Sequence, residues 1–214
     1  MARKLSFWEG IKAQFSTKCL VLIPIAVGIN LIGGTLCSAL KLPLFLDMIG
    51  TIVVACLSGP WVAALTGLLT NLFLALVANP VYLPYAAVSV LCGLVVGYMV
   101  KAGLFHKKWG VVVIWLVCTF VNAISASLIT TFVYGGVNGT SVLTATLVVA
   151  MKDILASVIS SSLIENLLDK GITVAIAWVI VQKIPRRFLS QYAADSMGGS
   201  DNDALSDDDE EEDE

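Results

Sequence analysis

Two places in this sequence could do chemistry. One is the stretch ENLLDK, which holds Glu165, Asn166, Asp169 and Lys170. The other is LPLFLDMIGT, residues 42–51, an apolar run with one carboxylate, Asp47. Asn79, Tyr82, Tyr85, Tyr134 and Asn138 add amides and phenols to the same apolar background. Such groups beside a membrane either anchor the interface or converge on a pocket for a small polar ligand. Asp47 has two readings of its own. It can cap the amides of a following helix, the plainer role for an acid there, or it can reach a ligand.

Catalytic machinery is missing. There is no phosphate loop of the G-x-x-x-x-G-K-[ST] type and no H-E-x-x-H. The single histidine, His106, sits in a polar loop, away from any plausible serine or cysteine nucleophile. Cys19, Cys37, Cys56, Cys92 and Cys118 all fall in apolar segments without a C-x-x-C, so neither a disulfide framework nor a metal site is expected. The chain reads as a protein that is not an enzyme and needs no cofactor.

The elements that must position these groups are membrane helices. The chain has 214 residues, of which 57% are hydrophobic and 14% charged, where a soluble domain would be about a quarter charged. Apolar stretches of bilayer length recur from residue 19 to residue 184, so the fold class is all-α and polytopic. Spans are expected at about 19–40, 44–57, 62–78, 83–103, 110–133 and 162–184. Ser58-Gly59-Pro60 divides the second from the third, and Asn79-Pro80 ends the third. Residues 137–160 are apolar yet contain Lys152 and Asp153, so they are read as a re-entrant or interfacial helix, which leaves six spans. Residues 5–15 place Phe7, Trp8, Ile11 and Phe15 at helical spacing, which suits either a short surface helix or a frayed end.

Charge placement gives the orientation. Eleven of the sixteen acids lie in residues 195–214, which leaves five acids against thirteen basic residues in the body, a net of +8. With six spans, one side holds Arg3, Lys4, Lys12, Lys18, Lys101, Lys107, Lys108, Lys183, Arg186 and Arg187, and the other only Lys41, Lys152 and Lys170. The positive-inside rule then makes both termini cytoplasmic. Asp47, Asp153, Glu165 and Asp169 all fall on the outer side. The domain reading is an amphipathic segment at 1–18, a helical membrane domain at 19–188 and an acidic tail at 189–214. The tail is expected to be solvated and disordered, or to dock a basic partner.

Small residues recur every four positions: Ala26, Asn30, Gly34 and Ser38; Ala63, Gly67, Asn71 and Ala75; Ser89, Gly93 and Gly97; Cys118, Asn122, Ala126 and Thr130. Such stripes let helices approach closely in lipid. The first span, with Gly33 beside Gly34, is also a candidate for docking another protein. Asn30, Asn71 and Asn122 lie near mid-membrane, where each must glue helices together or contact a ligand.

Two stretches carry a family resemblance: residues 42–73, LPLFLDMIGTIVVACLSGPWVAALTGLLTNLF, and residues 165–188, ENLLDKGITVAIAWVIVQKIPRRF. With six short spans before the tail, the chain resembles the substrate-binding S components of energy-coupling factor (ECF) transporters. The resemblance implies a six-helix bundle in a prokaryotic cell membrane. It implies a vitamin-like small molecule captured at the outer face, and partners comprising a transmembrane coupling subunit and two ATPases, with no nucleic acid. It places Asp47, Asn79, Tyr82, Tyr85, Asn122, Glu165, Asn166, Asp169 and Lys170 at or near the substrate. It places Ala26, Asn30, Gly33 and Gly34 at the docking face, although Asn30 departs from the family's small-residue pattern. A membrane sensor or scaffold, or a stand-alone secondary transporter, are the other readings of such a bundle.

Overall fold

A computed structural model describes residues 7–139, 141–151, 153–185 and 192. The acidic tail, Arg3, Lys4, Lys152, Arg186 and Arg187 lie outside the described residues. Among the described residues there is no strand. The helices are α1 (Phe7–Gln14), α2 (Thr17–Ala39), α3 (Ile49–Ser58), α4 (Pro60–Val77), α5 (Ala86–Lys101), α6 (Lys108–Phe132), α7 (Val142–Ala150) and α8 (Ile154–Lys183). Of these, α2, α4 and α6 are long and apolar enough to cross a membrane, and α3 and α5 are shorter apolar helices.

Local chemistry sets most boundaries. The Ser16 hydroxyl accepts from the Cys19 amide and starts α2. Gly59, at φ +89°, and Pro60 in the first turn of α4 split what would otherwise be one overlong apolar helix. Two expected boundaries move. The second helix starts at Ile49 rather than residue 44, because residues 40–48 form a loop with Lys41 and Leu46 in the left-handed region. The last helix starts at Ile154 rather than residue 162. Asp153 caps it by accepting from Ala156 N at 3.2 Å, so the ambiguous segment divides into α7 and the first turns of α8. At 1.5 Å per residue α8 is about 45 Å long, against a hydrocarbon core of about 30 Å, so Asp153 need not enter it.

Polarity is inverted relative to a soluble bundle. Val21, Ile25, Ile32, Leu76, Phe120, Phe132 and Leu168 are exposed, while Asn30, Thr70, Asn71, Thr119, Asn122, Glu165 and Lys170 are buried. Lipid supplies an apolar exterior, so the interior can hold the polar groups that join the helices. The small-residue stripes do this. Gly67 lies against Ser89, Gly93 against Ala63, and Gly97 directly against Pro60, which brings α4 and α5 into backbone contact. A second extensive interface joins α6 to α8, with Trp115 Nε1 donating to Leu167 O at 2.9 Å. Gln14 is buried and accepts from Trp61 N at 3.1 Å, tying α1 to the start of α4.

Candidate binding site

The site begins at the loop of residues 40–48. Asp169, wholly buried on α8, accepts from Phe45 N at 2.7 Å and from Leu46 N at 2.8 Å through one oxygen. Its other oxygen takes Lys170 Nζ at 2.6 Å. Lys170 also lies 3.9 Å from Asp47. A carboxylate that receives two amides and an ammonium is well satisfied despite burial. It pins the loop at Leu46, whose φ of +48° is unfavourable for a residue with a side chain. Gly33 on α2 makes room for the same strand of backbone, since a Cβ there would strike Leu46 O.

Asp47 therefore does something other than the capping first expected. The helix it precedes, α3, has Met48 at its N-cap position and no side-chain cap. Capping needs the carboxylate over the first free amides of the helix, and here the side chain is drawn to Lys170 instead. The anchoring role belongs to Asp169, a long-range partner that no local pattern could reveal.

Beneath the loop lies a cavity with about 680 Å³ of empty space, its open mouth included. Asp47, Tyr82, Tyr85, Asn122, Glu165, Asn166 and Lys170 of the expected set line it. Two expected residues do not. Asn79 instead starts the Pro80–Tyr82 turn, accepting from Val81 N at 3.0 Å. Asp169 is spent on the loop and on Lys170. Asn71 and Asn138 join the lining, together with the apolar Phe45, Met48 and Val88 and a set of hydroxyls. Their membership follows from which helix faces meet, and the only sequence signals were the Asn71 stripe position and the outer placement of Asn138.

Neighbouring contacts fix the phenols. Tyr85 and Tyr134 stack with centroids 6.1 Å apart. Asn138 Nδ2 donates to the Tyr85 hydroxyl at 2.7 Å, and the Tyr85 and Thr130 hydroxyls share a hydrogen bond at 2.6 Å. Tyr134 donates to Val81 O at 3.0 Å. Burial pushes the Tyr82 and Tyr85 phenols above the ordinary tyrosine value, so both stay protonated at neutral pH. Glu165 is only 4% exposed and receives the Ser141 hydroxyl from the entrance to α7.

The docking stripe expected on the first span turns inward. Asn30 donates to Thr51 Oγ1 at 2.9 Å and Thr70 Oγ1 at 3.0 Å and accepts from Gly50 N at 2.7 Å, joining α2, α3 and α4. Ala26 is covered by Gly50, and Gly34 by Leu74. Both side-chain polar atoms of Asn30 are consumed within the bundle, whereas Gly33 is half-buried and Ser38 exposed.

Compared with known proteins, residues 18–181 match the family model described as ECF transporter, substrate-specific component. No curated protein matches the chain, and no solved structure does.

Proposed function

The chain belongs to the substrate-specific components of ECF transporters, and from that membership we propose that it captures a small vitamin-like molecule at the outer face of a prokaryotic cell membrane. The observation that carries this reading is the cavity under the loop of residues 40–48 and the polar side chains that converge on it. Its lining comes from the loop of residues 40–48 and from α4, α5, α6, α7 and α8 together, so a ligand there contacts most of the bundle at once. The loop above it closes over the substrate and is held by Asp169. The six spans are α2, α3, α4, α5, α6 and α8, with α7 lying at the outer edge and both termini cytoplasmic. A transmembrane coupling subunit with two ATPases supplies the work. Its contact falls on the outward face of α2, around Ile25 and Gly28, because Ala26, Asn30 and Gly34 are occupied inside.

Reconstitution tests the reading. The full chain is purified in mild detergent and its co-purifying small molecule identified by native mass spectrometry. That molecule is then offered to proteoliposomes with and without the coupling module. Uptake is expected only with the module and ATP. Uptake by the chain alone would make it a secondary transporter and overturn the proposal.

A further inference from the structure

The hydrogen-bonding character of the cavity points to the chemistry of its ligand. Asn71, Asn122 and Asn166 all line it. Each donates its amide nitrogen to the carbonyl one turn back: Gly67 O at 3.2 Å, Cys118 O at 2.9 Å and Ser162 O at 2.8 Å. A carbonyl only accepts, so these bonds fix which end of each amide is nitrogen. The three amide oxygens then have no protein donor among the described residues, and none is sealed inside the protein.

Charge points the same way. Glu165 lines the cavity with only the Ser141 hydroxyl as partner and no ion pair among the described residues. Among the described residues Lys170 is the one cation in the lining, and Asp169 holds it at 2.6 Å with Asp47 on its other side. Among the described residues, two lining carboxylates and the buried Asp169 thus outnumber one ammonium. An acceptor-rich site with surplus negative charge discriminates against anions and against ligands poor in N–H donors.

We propose that the cavity takes a small nitrogen-rich cation, such as an amine, an amidine or a protonated amino-heterocycle. Its N–H groups bond Glu165 and the amide oxygens of Asn71, Asn122 and Asn166. This rests on reading the cavity as the substrate site of the transport subunit.

The test uses three probes of one shape: benzamidinium, benzamide and benzoate. Each is added to the full chain in mild detergent, and binding is read as a shift in thermal unfolding. Benzamidinium is expected to stabilise most and benzoate least. Glu165→Gln should weaken benzamidinium binding about tenfold or more, the range for a lost bond to a charged group. Equal or greater stabilisation by benzoate, no shift with benzamidinium, or an unchanged affinity in Glu165→Gln would overturn the ligand class. If Glu165→Gln does not fold, the ranking of the probes on the unaltered chain decides. The two readings fail separately. A ranking led by benzoate, alongside ATP-dependent uptake of the co-purified molecule, removes the ligand class and leaves the transport subunit. A ranking led by benzamidinium, alongside uptake without ATPases, does the reverse.

Discussion

Asp169 and Asp47 sit two contacts apart around Lys170, yet they have different work. Asp169 holds two loop amides and the ammonium at 2.6–2.8 Å, whereas Asp47 reaches the same ammonium only at 3.9 Å. Removing the charge of Asp169 leaves Lys170 buried beside a distant partner. Asp169→Asn is therefore expected to destabilise the chain by on the order of 3 kcal/mol, measured by unfolding in detergent. Hydrogen exchange at Phe45 and Leu46 should rise with it, because the loop loses its charged acceptor. Asp47→Asn should cost less stability and act mainly on ligand affinity. Equal losses in the two variants would show that the loop is not anchored as described.

At the level of elements, close approach of α4 and α5 depends on positions with no room for a methyl group. A Cβ on Gly97 would overlap the backbone of Pro60, whereas one on Gly28 of α2 meets nothing within 4 Å. Gly97→Ala is expected to lower stability by about 1–3 kcal/mol through overpacking. Gly28→Ala should leave unfolding unchanged, and a larger residue there should impair only assembly with the coupling subunit. Unfolding curves of the two alanine variants, compared side by side, check the first pair of claims. The sequence put Gly97 in a small-residue stripe and Gly28 in none, and the packing shows what that difference means. The same holds for the stripe Ala26, Asn30 and Gly34. Its spacing announced a close helix contact, and the bundle decided that the contact is internal.

For the whole molecule, orientation yields a labelling prediction. With the native cysteines replaced, a single cysteine at position 41 is expected to react with a membrane-impermeant reagent from outside intact cells, and one at position 107 only after the membrane is opened. The reverse pattern would invert the topology and move the cavity to the cytoplasmic face. Composition and the recurring apolar stretches of bilayer length determined that the body of the chain is a helical membrane domain, because a soluble domain carries more charge and lacks such runs. Punctuation at Ser58-Gly59-Pro60 and Asn79-Pro80 placed breaks close to where they occur, since glycine and proline act on their own backbone. Residue types also marked most of the cavity: Asp47, Tyr82, Tyr85, Asn122, Glu165, Asn166 and Lys170 were legible as polar groups too costly to bury idly. Tertiary structure alone decided which of these face the cavity and which are consumed elsewhere. Asp169 finds its partners 123 and 124 residues away, and Asn30 finds its own 20 to 40 residues away. Local sequence carries propensity and polarity, but a side chain's role in a membrane bundle is set by the donor or acceptor that helix packing brings within 3 Å of it.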